Sequence, residues 1–393
     1  MQRFLQEGLR NNKKRILFVC PSYRIGGTTV STKNLILLLR EQGYDCCVLP
    51  LKPYGELKML YDDVQKVNTP FAVKSLIADK WNEKGSIINR IRAIHLRIIR
   101  FISSDWTDHL LGKALTKAIK PFSFDTVVAC QENTTSRIVS HINHPHLIAW
   151  LRSDYTRYYN RTHQKEPFYS KFKAIVCVAE NIKKSFDRIY PEYAERTFCI
   201  PNPQASSFLK ERAQEAVQEP RFKNDKFTII SVGRLDPVKR FTMIAPIAKT
   251  LIESGGDFKW FLIGDGPERK KIEDSIAQYQ VGDNVKMLGF QTNPYFFMGR
   301  ADLLVCLSSS EACPRAVNEA KILGLPTAST DFPTIYEFIE DRETGWICPI
   351  EEMAKKILEI MRNQKEYLSV KNNLKDFSFD NEPLLEQIES VLS

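Results

Sequence analysis

Two carboxylates and two cations in the second half of the chain have the types and spacing to do chemistry. Glu311 and Glu319 are separated by seven residues within SSSEACPRAVNEAKILGLPTASTD, Ser308 to Asp331. Arg234 and Lys239 share the run RLDPVKRF, directly after an apolar stretch that ends at Gly233. Fixed cations beside a helix N-terminus stabilise phosphate charge that grows or shifts as a leaving group departs. A carboxylate such as Glu311, in a loop at the carboxyl end of a strand, sits where open α/β sheets bind their ligands. Each pair also has a plainer reading. The cations could be a solvated charge pair on a strand–helix loop. The glutamates could be a loop carboxylate offsetting a helix dipole and a surface-facing helical one.

The surrounding pattern supplies the elements that must position these groups. LLVCLS, Leu303 to Ser308, reads as a buried strand, followed by a turn, a helix from about Arg315 to Leu323, Gly324 and a short strand, PTAST. On that helix Val317, Ala320 and Leu323 are placed to face a sheet, with Asn318 and Lys321 pointing away. FTIISVG, KWFLIGDG and VKMLGF read as further strands. Pro267 suits a first helical position, and Gly266 before it suits close approach to a ligand. The first half opens with strand RILFVC, loop PSYRIGGTTV, a helix and a strand from Asp45 to Pro50. That is the start of a Rossmann-like unit. Gly26 and Gly27 lie in this loop without a GxGxxG spacing. They either expose backbone N–H groups to an anion or a sugar hydroxyl, or only shape a tight turn.

In this context several features resemble the retaining nucleotide-sugar glycosyltransferases of family 4. They are the glutamate pair ahead of Gly-Leu-Pro, Arg234 and Lys239 after a strand, the Gly264-Asp265-Gly266-Pro267 turn, and Thr344-Gly345-Trp346-Ile347. The resemblance covers nearly all of the second half. It covers the first half weakly, at Gly26-Gly27 and at Trp150 to Asp154. It implies an α/β chain of GT-B fold, two Rossmann-like domains facing across a cleft. Residues 1–203 would form an acceptor domain with a basic helical insertion at about 71–120. Residues 204–226, polar and low in β-branched content, read as an interdomain linker with one short helix. Residues 227–376 would form the donor domain, and 377–393 a C-terminal helix returning to the first domain.

The resemblance also implies roles. Arg234 and Lys239 would hold the donor diphosphate, and with Glu311 would carry catalysis. Glu311 would contact the transferred sugar, with Ala312, Cys313 and Arg315 nearby. Glu319 would bind the ribose hydroxyls, Gly266 and Phe290 would approach the donor, and Gly26 and Gly27 would approach the donor diphosphate or the acceptor. The implied donor is a UDP-sugar, bound with no cofactor and no metal, since no Asp-x-Asp occurs and Arg and Lys would do a metal's electrostatic work. The implied reaction is hexosyl transfer by front-face attack, the leaving phosphate helping to take the acceptor proton. The acceptor would be a glycan, a lipid-linked or another cell-envelope molecule. Several positions depart from the family. Arg152 stands where a His is expected, and an Arg cannot act as a base near neutral pH; Arg152 and Asp154 remain acceptor-side candidates. Ala312 and Pro314 replace glycines, and Pro314 supplies no N–H. Arg240 stands where Gly is common. A non-catalytic partner subunit of this fold, or another nucleotide-sugar enzyme built on it, are the alternatives.

Composition bounds the rest. A chain of 393 residues exceeds one ordinary core and suits two domains. A net charge of +9 suits a polyanion, an anionic membrane or a phosphorylated small molecule, and no motif argues for nucleic acid. INRIRAIHLRIIRFI reads as a basic amphipathic helix at about 86–101. It either lies in an anionic membrane interface or packs on the sheet with its arginines snorkelling at the rim. On the first reading the protein is cytoplasmic and peripheral on the inner face of the plasma membrane. No apolar run is long enough to span a bilayer, and the first residues lack the apolar segment of a secretory signal. The nine cysteines form no CxxC pair and read as small buried hydrophobes in a reducing compartment, with no metal site expected.

Overall fold

The computed structural model describes residues 14–24, 26–77, 104–153, 155–162, 165–223, 225–311, 313–375 and 377–392. Asp154, Ala312 and the basic stretch 86–101 lie outside them. The chain divides into two compact units, Met1–Pro203 with Asn381–Ser393, and Gln204–Asp380.

The first unit is built on strands β1 (Arg15–Ser22), β2 (Asp45–Lys52), β3 (Gln65–Lys66), β4 (Thr126–Ala129), β5 (Leu147–Leu151), β6 (Ala174–Cys177) and β7 (Thr197–Cys199). They form one sheet in the order β3-β2-β1-β4-β5-β6-β7, with every neighbouring pair parallel. Ile16 to Val19 and Val127 to Ala129 are buried along their whole length, as strands covered on both faces must be. The order reverses between β1 and β4. The last helix, Glu382–Leu392, belongs to this unit. Lys14 Nζ donates to the Leu392 carbonyl at 3.1 Å, and the Tyr44 hydroxyl to Glu389 Oε1 at 3.0 Å.

The second unit repeats the plan with β8 (Phe227–Val232), β9 (Phe258–Ile263), β10 (Val285–Gly289), β11 (Leu303–Cys306), β12 (Thr327–Thr330) and β13 (Gly345–Cys348). Its order is β10-β9-β8-β11-β12-β13, again parallel throughout. Successive residues go to opposite faces. Ile229, Trp260, Leu262, Leu303 and Val305 join one apolar cluster, while Ile230, Phe261, Ile263 and Leu304 join another. Two covered faces explain why these strands read as continuous apolar runs. Both sheets are doubly wound in the Rossmann manner, and in this one the order reverses between β8 and β11.

Residues 204–226 differ from a plain linker. The Ser206–Gln214 helix buries Leu209 and Ala213 in the second unit's core. The Phe222 ring lies 4.8 Å from that of Phe261, and Arg221 donates to the Met287 and Leu288 carbonyls at 2.9 and 3.0 Å. A few well-spaced apolar residues dock an otherwise polar stretch. Among the described residues no helix is long and apolar enough to cross a membrane.

Candidate functional site

Loops that leave the two strands at an order reversal turn to opposite faces of the sheet and leave a crevice between them. In the second unit these are the loops after β8 and β11. The first carries Arg234 and Lys239, the second Ser308 to Glu311. Lys239 Nζ lies 2.7 Å from Glu311 Oε2. The loops are also joined through the backbone, where Ser309 N–H donates to the Val238 carbonyl at 2.8 Å. Ser308 Oγ donates to Glu311 Oε1 and Thr330 Oγ1 to the Ser308 carbonyl, each at 2.6 Å. Thr334 Oγ1 donates to the Glu311 carbonyl. The Glu311 carboxylate is therefore held at both oxygens. Burial works against the Lys239 ammonium, but the Glu311 carboxylate, with Cys306 and Asp236, outweighs it and holds the group above its ordinary value. Ser231, Cys306, Ser308 and Val317 line a small cavity at the pair, of about 20 Å³.

Arg234 is left outward, its side chain 58% exposed and its Nε 3.9 Å from Asp236 Oδ2. Lys239 ends a short 3-10 turn, Pro237–Lys239, and Arg240 follows in the left-handed region at φ 51°. That conformation favours glycine, which gives a physical reason for the family's preference at this position.

Glu319 lies on the Arg315–Ile322 helix and turns inward, its side chain 2% exposed. Its Oε1 accepts from the Tyr295 hydroxyl at 3.1 Å and lies 3.2 Å from Arg315 Nε. The surface reading of this glutamate is thereby removed. Asn318, expected to point away, is buried as well, because the helix is covered on more than one side. Lys321 does reach outward from the core, donating to the Phe338 carbonyl at 3.0 Å.

Gly266 requires a correction. A Cβ there would stand 2.4 Å from the Leu235 carbonyl oxygen, so the close approach that demands glycine is made by the chain's own backbone. Phe290 follows β10 and is half-buried, as is Cys313 in the Glu311 loop.

At the first unit's reversal point, Gly26 has extended backbone at φ 168°, and neither it nor Gly27 has a described neighbour within 4 Å of a built Cβ. The fold itself does not demand glycine at either position. Arg152 is a second correction. Its Nε donates to the Cys130 carbonyl at 2.9 Å, its Nη1 to Ser31 Oγ and Asn202 Oδ1, and its Nη2 to Thr32 Oγ1 at 3.2 Å. Burial pulls the guanidinium below its ordinary value. These donors tie the helix after β1 to the end of β4 and to the segment after β7, so they are committed within the fold and not to an acceptor.

Sequence reasoning missed Ser308, Thr334 and Tyr295, which bond the two glutamates, and Ser309 and Thr330, which brace the Glu311 loop. The serine run before Glu311 was a local signal for part of this. Tyr295 meets Glu319 across 24 positions, and nothing local marks that contact.

Residues 213–377 match the family described as Glycosyl transferases group 1. Among solved structures, Anabaena HepE in complex with UDP is 16% identical with a TM-score of 0.69, over 96% of this chain and 99% of that one. S. aureus TarM, solved as a variant with Fondaparinux, alpha-GlcNAc-glycerol and UDP, is 13% identical with a TM-score of 0.70, over 97% and 100%. These likenesses establish the class of architecture: the chain has the GT-B fold, α/β with two Rossmann-like domains. Among curated relatives, an uncharacterized glycosyltransferase of Methanocaldococcus jannaschii is 26% identical over 62% of this chain and 63% of its own length. The amylovoran biosynthesis glycosyltransferase of Erwinia amylovora is 25% identical over 58% and 55%. The matched stretch thus spans less than two thirds of either relative. The family match spans less than half of this chain, and both of these relatives are named glycosyltransferases.

Proposed function

We propose that this chain is a retaining family 4 glycosyltransferase that moves a hexose from a UDP-sugar to a glycan or lipid-linked acceptor of the cell envelope. The observation that carries this reading is the Lys239–Glu311 pair, 2.7 Å apart where the second sheet reverses, with Arg234 exposed on the same loop. Arg234 and Lys239 would hold the diphosphate, Glu311 a hydroxyl of the transferred sugar, and Glu319 the ribose. As the bond from the sugar C1 to the diphosphate oxygen breaks, its electron pair stays on the leaving oxygen, where fixed cations offset the charge. The acceptor oxygen bonds to C1 on the same face, and its proton passes to the leaving phosphate. No protein nucleophile is needed, and donor binding without added metal is expected. Names such as amylovoran and lipopolysaccharide core biosynthesis glycosyltransferase support an envelope acceptor, and UDP in the HepE and TarM complexes supports a uridine donor. On this reading the protein works in the cytoplasm, peripheral at the inner face of the plasma membrane, with stretch 86–101 as its contact.

Calorimetric binding and donor hydrolysis with UDP- and GDP-sugars, without added metal and beside Glu311→Ala, test the reading. One donor is expected to bind and slowly release its nucleoside diphosphate, with turnover lost in the variant. Failure of every donor to bind sinks the reading and favours a partner subunit that keeps the fold.

A further inference from the structure

Glu319 is the most deeply placed carboxylate of the site, and its two oxygens are treated differently. Oε1 takes both internal partners, the Tyr295 hydroxyl at 3.1 Å and Arg315 Nε at 3.2 Å. Oε2 is buried and has no hydrogen-bond partner among the described residues, and the same holds for Arg315 Nη1. A buried carboxylate oxygen without a partner is costly, so native folds seldom keep one that no other molecule will satisfy.

Tyr295 is itself held firmly. It sits on the short helix Pro294–Met298, whose first turn is capped by Asn293 Oδ1 accepting from the Phe296 N–H at 3.4 Å. The Asn293 amide also donates to the Arg212 carbonyl at 2.7 Å, tying this helix to the Ser206–Gln214 helix. The hydroxyl that reaches Glu319 therefore comes from a rigid support. Arg315 lies four positions before Glu319, one turn back along the same helix, so its guanidinium falls over the carboxylate.

We propose that Tyr295 and Arg315 are positioning residues that together claim Oε1 of Glu319, lock its rotamer and reserve Oε2 as the acceptor for a ribose hydroxyl of the nucleotide. The inference rests on the reading of Glu319 as the ribose ligand. It makes the site selective for a nucleotide that carries its ribose hydroxyls. A carboxylate accepts from a hydroxyl best when ionised. Burial pushes the Glu319 carboxyl above the usual carboxylate range, while Arg315, Tyr295 and Lys239 pull it back. Loss of the Arg315 charge lets it rise further, so binding that needs the ionised form fails at a higher pH on the acid side.

The test is calorimetric titration of the full chain with UDP and with 2′,3′-dideoxy-UDP across mildly acidic to neutral pH. Wild type is compared with Tyr295→Phe, Arg315→Met and Arg315→Lys, and the Tm of each is recorded. Wild type is expected to prefer UDP. Tyr295→Phe and Arg315→Met should each weaken UDP about ten-fold, as loss of a hydrogen bond to a charged group does, and should narrow its preference over the dideoxy analogue. Arg315→Met should move the acid limb of binding to higher pH, and Arg315→Lys should restore part of both. Variants that keep the wild-type affinity, preference and acid limb overturn the inference and leave both residues as packing. If Arg315→Met does not fold, Tyr295→Phe, which keeps the ring, decides alone. If wild type binds UDP and its dideoxy analogue equally well, Glu319 is not the ribose ligand and the inference falls. If wild type binds neither nucleotide, the proposed function falls first and this inference with it.

Discussion

The two sheets share one strand plan, yet their reversal points are furnished differently. Between β8 and β11 a lysine and a glutamate face each other at 2.7 Å, and an arginine stays exposed on the same loop. Between β1 and β4 the loops offer Gly26 and Gly27 with no described neighbour within 4 Å of a Cβ, and the nearby cation, Arg152, is closed into hydrogen bonds with neutral groups. Topology therefore supplies a crevice in both units, and the side chains decide what each can do. In the second unit charge is arranged so that a ligand can meet it. In the first, charge holds three segments of the chain together.

The largest effect should come from breaking the charged crevice. Lys239→Met removes the cation and leaves the Glu311 carboxylate without its counter-charge. Donor turnover, read as release of nucleoside diphosphate, should fall by about 10²- to 10³-fold. A fall of less than ten-fold would mean that the pair is structural and that the two reversal points are alike after all.

The next effect belongs to the first unit and should appear in a different measurement. Arg152→Met removes the donor to the Cys130 carbonyl and one bond to the Asn202 side chain. Stability should drop by roughly 2–4 kcal/mol, seen as a lower Tm, because buried acceptors lose their partners. UDP affinity, which the proposed function assigns to the second unit, should hold while the protein stays folded. An unchanged Tm combined with lost transfer would make Arg152 a substrate group and erase the contrast.

The same contrast governs what could be read from sequence. The strands were legible because coverage on both faces leaves long apolar runs such as Ile16 to Val19 and Leu303 to Val305. Glu311, Arg234 and Lys239 stood out as charged residues shortly after buried strands, and the structure brings Lys239 to Glu311. Arg152 also follows a strand, but its partners come from Ser31, Thr32, Cys130 and Asn202, remote in sequence, so nothing local separated a clamp from a tie. Gly266 failed for the same reason, since the atom it must avoid belongs to Leu235. The linker reading failed because Leu209, Ala213 and Phe222 are too few to show as a pattern, though enough to dock. Pattern reveals what a strand or helix does to its own neighbours, and contacts made across the sheet stay hidden.

The smallest effect is the sharpest discriminator between the units. Gly264 cannot carry a side chain, because its φ is +143° and a Cβ would stand 1.8 Å from the Gly233 carbonyl oxygen. Gly26 is the opposite case, with extended backbone and no described neighbour within 4 Å. Gly26→Ala should therefore change stability by no more than about 0.5 kcal/mol, the range of substitutions away from packing constraints. If the open backbone at the helix N-terminus receives a substrate, the added methyl stands where that substrate must come, and transfer to acceptor should fall several-fold with Tm and UDP binding preserved. Transfer that survives intact would show that no substrate comes close to this loop. A lowered Tm would show instead that the glycine serves the turn, and Gly26 would then join Arg152 as a residue the first unit uses for its own structure.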